Sequence, residues 1–166
     1  MPSARRPAAK ITSLDRLSGI VRRAKSRGRT VALANGCFDV LHPGHVELLT
    51  RAKQAGDLLV VAVNSDRSVR GLGKGSGRPI LRERDRALML GALECVDYVV
   101  IFDDATPHRV IERLKPDVLV KGADWSGRAI VGREIVERAG GRVLRVPLRK
   151  GSSTSQFLAR IRAAGS

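Results

Sequence analysis

The sequence predicts an α/β protein with a five-stranded parallel sheet and helices between the strands. Three observations lead there. Short apolar runs alternate with helical patterns along the chain, the signature of successive βαβ units. The run DLLVVAVNSD is apolar almost throughout, as in a strand covered on both faces. Polar and glycine-rich segments follow the first, second, fourth and fifth strands, where a parallel sheet binds its ligands.

The elements follow in order. Residues 1–12 hold Pro, Ala and Arg with no period and are expected to form a disordered basic tail. Residues 13–166 are expected to form one domain, which suits their length. After Ser13, the residues Leu14, Leu17, Val21 and Ala24 recur at helical spacing, and Gly28 stops the helix. TVALANG is the first strand. GHVELLTRAKQAG is a helix with Val46, Leu49 and Ala52 on one face and Gly56 beyond its end. The second strand, DLLVVAVNSD, runs into RGLGKGSGRP, whose glycines make a flexible loop. RERDRALMLGALECV is a helix and DYVVIF the third strand. TPHRVIERLKP is a helix with Thr106 as N-cap and Pro107 at its first position. DVLVKG is the fourth strand, AIVGREIVERAGG a helix closed by glycines, and RVLRVPL the fifth strand. STSQFLARIRAA closes the chain as a helix capped by a Ser/Thr cluster.

Composition narrows the class. The chain has 166 residues, 43% of them hydrophobic and 28% charged, enough for a core without disulfides or metals. No apolar run reaches the roughly 20 residues of a membrane helix, and no apolar segment follows the basic start as in a secretory signal. Cys37 and Cys95 are expected as reduced thiols in a cytoplasmic protein. The net charge of +15 raises nucleic acid as a partner. However, residues 1–30 hold nine basic residues against one acid, away from the motifs described below. A solvated basic surface with some attraction for polyanionic substrates is favoured over a nucleic-acid face.

The motif NGCFDVLHPGH places His42 and His45 around the first turn of a helix that begins at Pro43 and Gly44. Free N–H groups and the helix dipole suit a phosphate there, and two imidazoles add donors that can follow developing charge. Gly36 and Gly44 permit close backbone approach. A capping histidine and a metal pair are the alternatives, but a metal pair on one helix prefers i,i+4 spacing and a third ligand, which is not evident. GLGKGSGR is no P-loop, because Lys74 is followed by Gly75 rather than Ser or Thr. It reads either as a flap bringing Lys74 and Arg78 over a polyphosphate or as a plain surface loop. In GSSTS, Ser153, Thr154 and Ser155 offer an N-cap or a site. In KGADW, Lys121 suits a phosphate and Asp124 a sugar hydroxyl, while Trp125 is a stacking face or a core aromatic. No base is specified for Cys37 as a nucleophile, and His108 reads as a surface residue.

GCFDVLHPGH with its H-x-G-H, the Lys74 loop, RERDR, KGADW and GSSTS occur in that order. This set resembles the cytidylyltransferase-like nucleotidyltransferase superfamily. The wider stretches GDLLVVAVNSDRSV, LECVDYVVIFDDATP and KPDVLVKGADW are similar to its heptose-1-phosphate adenylyltransferase group. The resemblance runs from about Thr30 to Ile161. It implies a Rossmann-like three-layer sandwich of the HxGH type. It implies that His42, His45 and Lys74 act on the NTP phosphates. Asn35, Gly36, Phe38, Asp39, Gly44, Arg86, Gly151, Ser153, Thr154 and Ser155 would line the nucleotide, and Lys121, Asp124 and Trp125 the acceptor. Glycerol-phosphate members carry an arginine where this chain has Leu148, and the heptose group matches the chain there. The implied reaction moves AMP from ATP to a heptose 1-phosphate, with Mg²⁺ accompanying ATP; Asp39 is either its indirect partner or a structural hydrogen-bonding residue beside the helix. A separate heptose kinase acts upstream, and a homo-oligomer, in the first instance a dimer, is implied. A CTP-dependent glycerol-phosphate-type transferase and a basic nucleic-acid-binding module are the rival functions.

Overall fold

The computed structural model describes residues 5–73, 75, 77–122, 130–147, 151 and 153–164. The strands are β1 (Val31–Gly36), β2 (Leu58–Asn64), β3 (Tyr98–Phe102), β4 (Val118–Gly122) and β5 (Arg142–Val146). They form one sheet in the order β3-β2-β1-β4-β5, with every neighbouring pair parallel. The helices are α1 (Leu14–Ser26), α2 (Pro43–Gln54), α3 (Asp66–Gly71), α4 (Glu83–Ala92), α5 (His108–Leu114), α6 (Arg133–Arg138) and α7 (Thr154–Ala164).

Alternate residues of each inner strand feed opposite layers, because successive side chains of a strand point to opposite faces. Val31 and Leu33 of β1, with Leu58, Val60 and Ala62 of β2, join Leu17 and Val21 of α1 and Ile111 and Leu114 of α5. Ala32, Ala34, Leu59, Val61 and Val63 join Leu49 and Ala52 of α2 and Ala87 and Leu90 of α4. Burial of both sets explains why β2 reads as unbroken apolar sequence. The result is the expected three-layer, Rossmann-like arrangement.

At the amino end of the sheet one device repeats. Asp57, Asp97 and Asp117 each stand just before a strand. Each turns a carboxylate oxygen to a backbone N–H at the start of the neighbouring strand: Asp57 to Thr30 at 2.8 Å, Asp97 to Leu59 at 2.7 Å, Asp117 to Val31 at 2.8 Å. These charge-assisted bonds satisfy donors that the ladder leaves open and set the strands in register.

At the carboxyl end the corresponding tie is Arg86, on α4. Its side chain has no exposed surface. Nε donates to Leu81 O at 3.0 Å, Nη1 to Cys37 O at 2.6 Å and Asn64 O at 2.7 Å, and Nη2 to Asp66 Oδ1 at 2.8 Å. One guanidinium thus joins the chain leaving β1, the chain leaving β2, the head of α3 and the approach to α4. Four of its five N–H donors are engaged by the protein, so the described contacts of Arg86 are those of a scaffold tie.

Several element assignments differ from those expected. Helix α3 was not legible because six residues capped by Ser65 show no hydrophobic period. Val46 is 43% exposed because the buried face of α2 centres on Leu49 and Ala52, and Val46 lies about 120° away from Ala52 at 100° per residue. Pro107, rather than Thr106, stands at the N-cap of α5. Helix α6 starts only at Arg133, because Gly132 takes a left-handed backbone (φ 82°) against Ile111.

The expected tail is ordered from Arg5 onward. Pro7–Lys10 form a 3-10 turn. Ile11 bridges to Val99, and Thr12 N donates to Val99 O at 3.0 Å, so the segment shields edge strand β3. Lys10 Nζ donates to Leu93 O at 3.0 Å, and the Arg5 guanidinium lies 4.8 Å from the Tyr98 ring centroid. Composition concealed this docking, which runs largely through backbone bonds. It also depends on a gap: a Cβ on Gly91 would stand 2.6 Å from Pro7 O.

Two outcomes follow from these contacts. Arg86→Met strands two buried carbonyls and the Asp66 carboxylate, and costs about 3 kcal/mol. Thermal unfolding should show Tm lower by about 6–12 °C for a domain of this size. Gly91→Ala should lift the Pro7–Lys10 turn off α4, read as faster amide exchange at Thr12 with the exchange of β1 unchanged.

Candidate functional site

The chain passes from β1 to β2 on one side of the sheet and later returns to lay β4 on the other side of β1. The switch point is therefore the crevice between β1 and β4. Asn35 and Gly36 end β1, and Lys121 and Gly122 end β4. The Lys121 ammonium donates to Asn35 Oδ1. Burial lowers the pKa of Lys121 to about 8, since a poorly hydrated ammonium loses the solvation that favours its charged form. An arriving anion supplies what burial withheld.

Helix α2 opens beside this crevice. His42 is its N-cap, with extended backbone (φ −142°, ψ 165°) and a side chain that makes no capping bond. Pro43 presets the first turn, and Gly44 is buried within it. The imidazoles of His42 and His45 stack at 3.7 Å between centroids and 23° between planes. Phe38 meets His45 edge-on at 5.1 Å and 62°. To reach that place Phe38 adopts a left-handed backbone (φ 45°), a strain of about 1 kcal/mol or more held by its surroundings. Gly36 leaves room for the ring, since a Cβ there would stand 3.2 Å from Phe38 Cε2. Burial lowers the His42 pKa below its usual value, because it disfavours the charged imidazolium. Its Nδ1 is buried without a hydrogen-bond partner among the described residues. Two imidazoles this close oppose double protonation by about 1 kcal/mol even in water. A phosphate group between helix N–H donors and these rings removes that opposition.

Asp39 serves the scaffold. It is 1% exposed. Oδ1 accepts from Ile80 N at 2.7 Å and Leu81 N at 3.0 Å, and Oδ2 pairs with Arg78 Nε at 2.5 Å. The two residues pin the far end of the glycine loop. Cys37 is buried, its Sγ 3.8 Å from Asn64 Oδ1, with the packing of a structural thiol. His108 is exposed, as expected. Among the described residues no three His, Cys, Asp or Glu side chains gather as a metal site, and no helix is long and apolar enough to cross a membrane.

Helix α7 brings the last strand's loop to the histidines. Gly151 has φ 75°, and Ser153 Oγ accepts from Gln156 N at 3.2 Å, so Ser153 caps the helix. Thr154 is half-buried and Ser155 exposed. One turn on, the Phe157 ring stacks on His42 at 5.7 Å and 21°. Sequence reasoning passed over Phe157. Its signal was scarcity: the chain has three phenylalanines, and two of them flank the histidine pair. Phe38, His45, His42 and Phe157 thus form one cluster at the head of α2, while Asn35 and Lys121 meet where β1 and β4 end. Lys74, Asp124 and Trp125 lie outside the described residues.

Comparison with known proteins agrees with this geometry. A sequence model of the family described as cytidylyltransferase-like matches residues 33–155. The bifunctional protein HldE of Geotalea uraniireducens is 53% identical over 154 residues, covering 93% of this chain and 31% of that protein. HldE of Geobacter metallireducens is 52% identical over 153 residues, 92% of this chain and again 31% of the relative. The chain thus spans about a third of the length of these curated relatives. The crystal structure of a lipopolysaccharide core biosynthesis protein from Thermoplasma volcanium superposes with a TM-score of 0.62 at 30% identity, covering 75% of this chain and all of that one. Pantoate–beta-alanine ligase from Francisella tularensis shares the fold alone, with a TM-score of 0.65 at 13% identity over 90% of this chain and 72% of its own. With its stacked histidines at the switch point and a match over most of its length, the chain belongs to the cytidylyltransferase-like family.

Proposed function

We propose that this chain is a nucleotidyltransferase that moves AMP from ATP to a heptose 1-phosphate, forming ADP-heptose and pyrophosphate. The observation that carries the reading is the stacked His42–His45 pair at the head of α2, one strand end away from the buried Lys121 ammonium. The bifunctional relatives at about half identity support the sugar and the base.

The acceptor phosphate is already a nucleophile. One of its oxygens attacks the α-phosphorus of ATP as the bond from that phosphorus to the bridging oxygen breaks, and the electron pair leaves with pyrophosphate. No covalent enzyme intermediate is needed, so the protein's task is positioning and charge stabilisation. His42 and His45 donate to the oxygens on which negative charge accumulates. Asn35, Gly36 and Gly44 give the triphosphate a close approach to backbone, and Gly151, Thr154 and Ser155 border it from the head of α7. Lys74 reaches the phosphates from the glycine loop. Lys121 holds the sugar phosphate, with Asp124 and Trp125 on its sugar. Magnesium would accompany ATP with few protein ligands, as it usually does; Asp39, whose oxygens are engaged by Arg78, Ile80 and Leu81, would act on it only indirectly. When bound the ion neutralises phosphate charge. A kinase reaction that phosphorylates the sugar at C1 must precede this step.

Three measurements test the reading. Pyrophosphate release should require heptose 1-phosphate and should be at least tenfold faster with ATP than with CTP or GTP. His45→Ala should lower kcat by about a hundredfold with an unchanged circular dichroism spectrum, the loss expected for one preorganised donor. For Lys121, the ammonium that attracts phosphate is present below its pKa of about 8 and lost above it. kcat/KM for the sugar phosphate, which reports the free enzyme, should be level below that pH and fall about tenfold per unit above it. Lys121→Arg, which stays charged, should abolish the fall.

A further inference from the structure

We infer that Phe157 is a positioning residue: its ring clamps the His42 imidazole against His45, and that contact fastens the head of α7 to the histidine pair. The inference rests on the transfer reaction proposed above for the role of His42, but the contact itself does not.

Four rings form a column. Phe38 abuts His45, His45 stacks on His42, and His42 stacks on Phe157. The Arg160 guanidinium lies beyond, 5.9 Å from the Phe157 centroid. His42 has little side-chain restraint besides the rings. It makes no capping bond to α2, and its Nδ1 has no partner among the described residues. Its orientation therefore depends on the faces on either side of it. From the other direction, α7 has no fully buried residue, and its Ile161 is 65% exposed. Phe157 is half-buried and joins this lightly held helix to the middle of the site.

The contact is also responsive to charge. An imidazolium is drawn to an aromatic face more strongly than a neutral imidazole is. A triphosphate that favours protonation of His42 thereby tightens the stack and holds α7 more firmly. The charged and titratable members of the column are His45 beneath His42 and Arg160 beyond Phe157. Burial is what disfavours a proton on His42, and the Phe157 face is the column's own stabiliser of that charge.

Phe157→Leu keeps apolar bulk but removes the face. In the full chain it should lower kcat on the order of tenfold while the KM for ATP changes less than threefold, as for a misplaced catalytic group. Phe157→Tyr, which keeps the face, should stay within twofold of the parent. NMR titration of the His42 ring supplies a reading that a merely structural contact does not. With the face lost and the bulk retained, the His42 midpoint should fall in Phe157→Leu. A midpoint that rises toward 6.5 would mean that the ring only shields His42 from water, and would overturn the inference. Equal kcat in Phe157→Leu and the parent would overturn it too. If the parent transfers no nucleotide, the proposed function fails, and the midpoint still decides whether the clamp exists.

Discussion

Arg86 holds a permanent charge in a place with no exposed surface, and the end of the sheet that carries the site is arranged around it. A buried guanidinium costs several kcal/mol unless its donors are matched. Here the matching acceptors are the carbonyls at the ends of two parallel strands and one half-buried carboxylate. Those carbonyls have no helix or ladder to bond with, because the chain is turning out of the sheet. The charge and the loose strand ends solve each other's problem. The path of the chain from Gly36 to His42 follows from that tie and from Asp39, which grips the opposite loop.

The histidine pair inherits its geometry from this frame. A left-handed Phe38 is an unfavourable conformation, yet it lies directly after a carbonyl that Arg86 fixes. The strained residue then sets the ring against which His45 rests. Electrostatics reinforces the arrangement. Burial lowers the proton affinity of both His42 and Lys121, and a phosphate beside them restores it. The field that a phosphate meets strengthens as the phosphate arrives. This timing favours charge that develops during a reaction over charge already present in the substrate.

The order of strands and helices was legible because each strand is a compact apolar run and each long helix has a period. So was the place of His42, His45 and Lys121, since their motifs follow strands that any parallel sheet would use for ligand binding. What stayed hidden was of another kind. Helix α3 is too short to repeat, and the Pro7–Lys10 segment docks mainly by backbone bonds, which composition cannot register. The internal partners of Arg86 and Asp39 were hidden for one reason: a charged side chain in a motif reads as a ligand contact, and only three-dimensional burial reveals bonds to distant backbone. Phe157 was missed because a single aromatic on an amphipathic helix has the ordinary appearance of core.

The three aspartates at the amino end of the sheet have a consequence for how this architecture diversifies. Asp57, Asp97 and Asp117 hold the strands in alignment from the edge farthest from the crevice. The side chains proposed to meet ligands stand on the opposite edge. Replacing those side chains leaves this alignment intact, so a lineage can explore new ligands at one rim while the other rim keeps the strands in place.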